Sequence, residues 1–342
     1  MCIRDRYITR WYGPGRRAHY GTVIDAGRRR LPDAYKELNR LAGDPLYPVI
    51  VRATALSLLR SYSPAQSAAA CELALMDDEA LIRRTAVDHL NMRDSEKQTA
   101  HLTSALYDPV KAVRTEAARR IAEIPNPPLD SGQKAVYQKA LVEYQSSMEY
   151  SADFAFGRYN LGNLFGNLNQ PDKAVDNYRA AIRIDNQFYP AKVNLAMLYN
   201  ETGRKNEAEV LLREVVAAHA ELHEVQYSLG LLLAEKKKFE EAARYLSAAA
   251  AGLPQRSRVQ YNLGLLLQIV RRDAEAEAAL LAALEIEPDN LDYLYALADH
   301  YLKRQKFTHA RQIAEQMIVK HPDNSIGREI LNFINQQSPG NK

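Results

Sequence analysis

The residues of this chain that could hold a metal or attack a substrate are few and scattered. Its 342 residues include eight histidines and two cysteines, Cys2 and Cys71. Two cysteines cannot build a disulfide framework, and no Cys-x-x-Cys-His is present to attach haem covalently. His219 and His223 stand four apart, a spacing that on one helix face would suit a metal. Ala220-Glu221-Leu222 between them falls where one helical unit gives way to the next, so a shared face is not required. His223-Glu224 is followed by Val225-Gln226-Tyr227, which does not complete His-Glu-x-x-His. No Gly-x-Ser-x-Gly elbow presents a nucleophile, and no Gly-x-x-x-x-Gly-Lys run cradles phosphate. Gly13-Pro14-Gly15 lacks the strand–helix context of a dinucleotide site. Asp172 and Glu207 read as solvated carboxylates, and Cys71, in an alanine-rich stretch, reads as a buried thiol. The expectation is a chain with no catalytic residues, no metal and no enzymatic activity.

The elements that would position any site come next. Apolar residues make up 46% and charged residues 25%, ordinary for a folded soluble protein. Glycine and proline stand at 15 each, too few for a loop-rich or all-β fold, while Ala, Leu, Glu, Lys and Arg favour helix. No apolar run approaches the ~20 residues of a membrane-spanning helix. The net charge of +3 gives no argument for nucleic acid.

From residue 155 onward the sequence beats every 34 residues. Leu161-Gly162, Leu195-Ala196, Leu229-Gly230, Leu263-Gly264 and Leu297-Ala298 form one column. Ala174, Ala208, Ala242, Ala276 and Ala310 form a second, and Phe165, Tyr199, Leu233, Leu267 and Tyr301 a third. A fourth holds Tyr178, Leu212, Leu246, Leu280 and Ala314. Each unit predicts two short helices: small residues where backbones approach, large ones between hairpins, and breakers such as Gly203-Arg204 in the turns. Pro254, Pro288 and Pro322 end the later units.

This pattern resembles the tetratricopeptide repeat family over five units: 155–188, 189–222, 223–256, 257–290 and 291–324. The usual early aromatic is absent (Arg158, Lys192, Gln226, Gln260). Residues 325–337 are expected to close the array as a capping helix, with 338–342 a disordered tail. Stepping back 34 from Ala174 and Tyr178 reaches Ala140 and Tyr144, which predicts a lone helix over 133–150.

A shorter beat of 31 residues precedes this one: Val51-Arg52, Ile82-Arg83, Val113-Arg114, then Ala55, Ala86, Ala117, then Leu59, Leu90, Ile121. Asp44-Pro45, Asp77-Asp78 and Asp108-Pro109 precede each unit. The pattern resembles short HEAT-like repeats over 31–124, and its arginines are expected to pair with carboxylates of neighbouring turns. Pro125-Asn126-Pro127-Pro128 forces extended backbone and opens a linker, so that 125–154 reads as proline linker plus single helix. The fold class that follows is all-α: an α-solenoid of HEAT-like repeats and then a tetratricopeptide superhelix.

Residues 1–30 carry eight arginines against Asp5 and Asp25, a charge of +6 that leaves −3 for the remainder. They read as a solvated arm or one meeting an anionic partner. Met1-Cys2-Ile3-Arg4-Asp5-Arg6 matches the translation of a sequencing-library transposon end, so these six residues are expected to be adapter-derived and the arm truncated. Arg10-Trp11-Tyr12-Gly13 and Arg16-Arg17-Ala18-His19-Tyr20 resemble a segment of bacterial multihaem c-type cytochrome proteins that also carry HEAT-like and tetratricopeptide repeats. That resemblance implies a haem-binding portion upstream, a periplasmic setting, a redox partner and a haem-facing His19. Otherwise a cytoplasmic scaffold is expected. No cofactor is expected in this chain itself.

The tetratricopeptide resemblance also implies a concave groove lined by the first helix of each unit. Two residues before the Leu-Gly/Ala pair stand Tyr159, Val193, Tyr227, Tyr261 and Tyr295; two after it stand Asn163, Met197, Leu231, Leu265 and Asp299. Gln268 lies further along the same helix. Tyrosines give amphipathic contact at modest entropic cost, though the column also accepts tyrosine as consensus filling. Relatives that clamp a peptide's terminal carboxylate use lysines where these tyrosines stand, which disfavours that ligand. The functional expectation is a protein–protein interaction scaffold binding a protein or peptide, without nucleic acid or membrane insertion. The alternative is the scaffold part of a multihaem cytochrome.

Overall fold

The computed structural model describes residues 19–337. Expectations for residues 1–18 and for 338–342 therefore lie outside the described residues. Among the described residues the chain is all-α, with nineteen helices and no strand. None is long and apolar enough to cross a membrane. Two compact units divide it, 1–177 and 178–342.

The first unit holds α1 Tyr20–Arg28, α2 Ala34–Gly43, α3 Val49–Leu59, α4 Pro64–Ala74, α5 Ala80–His89, α6 Ser95–Ala105, α7 Lys111–Ala122, α8 Ser131–Tyr150 and α9 Ala155–Asn167. The helix α1 occupies part of the expected arm. His19 Nδ1 accepts from the Gly21 amide at 3.0 Å to cap it, and Ile24 is buried in the core. On α3, α5 and α7 the 31-residue columns form that core: Ala55, Ala86 and Ala117 are fully buried, as are Leu59, Leu90 and Ile121. Helix α8 starts two residues before its expected position, fixed by a capping box between Asp130 and Gln133, and buries Ala140 and Tyr144.

The arginine column is a ladder of cross-unit ion pairs. Arg52 pairs with Asp77, Arg83 with Asp108 (Nε to Oδ2 2.7 Å), and Arg114 with Glu143 (3.0 Å). Asp77 and Asp108 also close their own turns, accepting from the amides of Glu79 and Val110 at 3.0 and 2.8 Å. The reverse of each guanidinium satisfies carbonyls of its own turn: Arg83 donates to Asp77 and Asp78, Arg114 to Asp108 and Pro109, all at 2.8–2.9 Å. The step from arginine to acid is 25 residues until Arg114, where Lys139 occupies that place and Glu143, one helical turn on, takes over.

Helix α10, Pro171–Ile184, crosses the division between the units. The second unit continues with α11 Tyr189–Glu201, α12 Lys205–Ala218, α13 His223–Glu235, α14 Phe239–Gly252, α15 Ser257–Ile269, α16 Asp273–Ile286, α17 Leu291–Lys303, α18 Phe307–Lys320 and α19 Ile326–Gln337. Small residues sit where sequence placed them. A Cβ on Gly230 would lie 2.7 Å from Leu246, and one on Gly264 2.7 Å from Leu280. Helix α19 buries Ile330 and Ile334 against the core of the last hairpin.

The hairpin turns carry a feature the residue types conceal. Asn169, Gly203, Lys237, Arg271 and Gln305, spaced by 34, all have positive φ between 55° and 80°. The following amide reaches back five residues each time (Gln170 to Phe165, Arg204 to Tyr199, Lys238 to Leu233, Arg272 to Leu267, Lys306 to Tyr301) at 2.7–2.9 Å. This is the Schellman closure, whose left-handed residue is ordinarily glycine. Only Gly203 conforms. Replacing Lys237, Arg271 and Gln305 together by glycine relieves left-handed strain of ~1–2 kcal/mol per site, offset in part by glycine's unfolded-state entropy. The triple variant is expected to gain roughly 2 kcal/mol, since distant sites add. A raised urea midpoint with unchanged slope checks it; no rise contradicts it.

Candidate functional site

Residues four apart on a helix share a face, so the columns two before and two after each small pair emerge together. On α11, α13, α15 and α17 the central Leu and Gly or Ala are buried against the partner helix. Val193, Tyr227, Leu231, Tyr261, Leu265, Gln268 and Asp299 are partly exposed, and Met197 and Tyr295 are about half exposed, at 52% and 49%. All nine belong to the second unit. Tyr159 and Asn163 lie on α9 in the first, partly exposed and each engaged by a neighbour.

Two tyrosines of the column are each held by a side chain of the next repeat. Tyr227 Oη accepts from Asn262 Nδ2 at 2.6 Å. The Tyr261 ring lies 4.8 Å from that of Tyr293, with the Arg258 guanidinium 5.5 Å from its centroid. Burial, and secondarily the Asp292 carboxylate, push the Tyr261 hydroxyl upward, so the phenol stays neutral. Lys303 neutralises Asp299 at 2.6 Å. The rings thus present fixed apolar surface, while the charge is internally balanced. Gln268 Nε2 and, two units earlier in the same column, Asn200 Oδ1 are buried without a hydrogen-bond partner.

A cleft of about 430 Å³ opens at Val193, the one position in the second unit where the column lacks tyrosine. Tyr189 and Pro190 bound it on α11; Leu222, Val225 and Leu253 supply apolar walls. It has the size and apolar lining of a small ligand or side-chain site.

The two histidines four apart are each engaged locally. His219 Nδ1 lies 3.2 Å from Glu221, with its ring 5.1 Å from that of Tyr189. His223 Nδ1 meets Gln226 Oε1 at 3.1 Å, and its ring occupies the space beside Gly252. Among the described residues no group of three or more His, Cys, Asp or Glu could hold a metal. Cys71 is buried, and burial pushes its thiol up to about 11, so it is no thiolate at neutral pH. Columnar reading missed a buried His300, which stands where the other units carry leucine, and a cleft beside Arg179 and Arg183.

Family models decide the nature of the repeats: one tetratricopeptide repeat model matches residues 168–232, and another matches 227–290 and 261–325. Residues 168–325 are tetratricopeptide repeats. The chain is similar to the solved structure of YrrB, described as a tetratricopeptide repeat protein with an unusual peptide-binding site. The two are 20% identical over 55% of this chain and 96% of that one, with a TM-score of 0.49. MamA from Desulfovibrio magneticus RS-1 gives 16%, 50%, 96% and 0.46, and Pseudomonas aeruginosa PilF 21%, 58%, 95% and 0.44. At such identities the likeness concerns the fold alone. No curated protein gives a significant match.

Proposed function

We propose that this chain is a non-enzymatic scaffold whose tetratricopeptide repeats hold an extended peptide or a protein segment along Val193, Met197, Tyr227, Leu231, Tyr261, Leu265, Gln268, Tyr295 and Asp299. One observation carries the reading. Tyr227 and Tyr261, each held by a side chain of the next repeat, form an apolar surface in the same repeats as the cleft at Val193. Preorganised aromatic surface lowers the entropic cost of association. Tyr159 and Asn163 belong to the same repeat columns. In the first unit the 31-residue repeats, which we read as HEAT-like, serve as structure: their arginine ladder is internally paired.

The test is selection of binders from a displayed random-peptide library on the wild-type chain. Tyr227→Ala with Tyr261→Ala is expected to weaken the selected peptides at least about tenfold, the scale of losing one good aromatic anchor. Val193→Tyr, which fills the cleft, is expected to do the same. Undiminished affinity in both variants, with helicity retained, would remove the proposal.

A second reading, the scaffold portion of a multihaem c-type cytochrome, rests on the words Arg10-Trp11-Tyr12-Gly13 and Arg16-Arg17-Ala18-His19-Tyr20 and on the order of the repeats. The residues present do not fit haem attachment, for want of Cys-x-x-Cys-His. Several such codon runs in frame upstream would support it, and a start codon with no export signal would remove it.

A further inference from the structure

We propose a second peptide site in the same repeats, apart from the tyrosine column: a cleft that takes a bulky apolar side chain flanked by carboxylates. It lies among the part of α10 in the second unit, α11 and α12, and measures about 410 Å³. Its wall is apolar. Leu195 and Leu211 form the base, and Ile182 and Val210 the sides, with Val210 57% exposed. Scattered exposed aliphatics are ordinary; aliphatics converging on one concavity are what ligand sites show.

The rim supplies the specificity. Arg179 and Arg183 stand one helical turn apart on α10, and neither makes an ion pair among the described residues. Arg179 is held in place, its Nε donating to Tyr199 Oη at 2.9 Å. The Arg204 guanidinium lies over the same ring, 3.9 Å from the Tyr199 centroid. Glu207, the one carboxylate lining the cleft, is engaged by Arg204 at 2.9 Å. Two guanidiniums without an ion-pair partner, Arg183 and the tyrosine-held Arg179, therefore line the cleft beside its apolar wall. Guanidinium forks match carboxylates in geometry as well as charge. The complementary occupant is a peptide with one large apolar residue between acidic ones. The cleft is open and sized for a side chain, which favours a peptide over a lipid.

The experiment measures fluorescence anisotropy of labelled Glu-Glu-Leu-Phe-Glu-Glu and Lys-Lys-Leu-Phe-Lys-Lys with the full chain. The acidic peptide is expected to bind at least about tenfold more tightly, an effect of one charge-assisted contact. Arg183→Glu and, independently, Val210→Asp are each expected to cost about tenfold or more. Both positions are exposed, so circular dichroism should be unchanged. Tyr227→Ala with Tyr261→Ala is expected to leave this binding intact, which separates the two sites. Equal affinity for both peptides, or indifference to Arg183→Glu and Val210→Asp, overturns the proposal. So does loss of binding in the tyrosine pair alone, or capture by phosphatidylglycerol vesicles without peptide binding.

Discussion

Arg83→Ala is expected to destabilise the first unit by about 3 kcal/mol, the low end for removing one partner of a buried ion pair. Arg83 and Asp108 have side chains only 15% and 9% exposed, so water cannot replace the lost guanidinium. The variant also frees the carbonyls of Asp77 and Asp78. Burial raises the Asp108 carboxyl, but hydrogen bonds from Arg83 and the Val110 amide, with the charges of Arg83 and Arg114, outweigh it. The group is held below its ordinary 3.8. A carboxyl depressed in the folded state contributes stability above the unfolded value and loses it as pH falls through the folded one. The gap between wild type and variant should therefore be full at neutral pH and narrow below about pH 4. Urea midpoints at neutral and acid pH measure it. A gap that stays constant would assign the loss to packing of the arginine stem rather than to charge.

Gly264→Leu is expected to cost about 3 kcal/mol or more, at or beyond the upper end for overpacking a filled core. Even a Cβ there meets Leu280 at 2.7 Å and the Ala276 carbonyl oxygen, which is backbone, at 3.3 Å. Leucine adds four carbons to a space that cannot take the first. Ala278→Leu, exposed on the neighbouring α16, is the control and should stay within about 0.5 kcal/mol. Similar melting temperatures for the two variants would contradict the contact between α15 and α16 described above.

Both results rest on features the residue types disclosed. Glycine at 230 and 264 marks the closest helix approach because each further atom there has a cost, so the spacing is imprinted in the sequence. The same holds for Ala55, Ala86 and Ala117, and for the arginine of each shorter repeat. The partner of Arg114 was not legible, because a lysine holds the register position and a glutamate one turn later answers instead. The left-handed turns were hidden for another reason: Lys237, Arg271 and Gln305 adopt a backbone that their side chains disfavour, and the closing hydrogen bonds hold them there. Helix α1 is hidden among arginines, and only short apolar words, Tyr20, Val23, Ile24 and the buried Gly27, tie it to the core. For the candidate faces, the tyrosine column was visible as a pattern. Its hydrogen bond to Asn262 and the opening at Val193 needed three dimensions. The cleft beside Arg183 draws its walls from three helices, so no single periodicity signals it.

Each aspartate of the arginine ladder fastens its own bend with one oxygen and answers the preceding arginine through its carboxylate. Because the acid and the next arginine lie six residues apart within one module, the wiring is indifferent to copy number. A chain lacking residues 78–108 would keep Arg52 in register with Asp77 and Arg114 with Glu143, so the ladder itself would stay paired. Loss or gain of one whole 31-residue module preserves the arginine-to-acid register, whereas an indel of another length within the array shifts it.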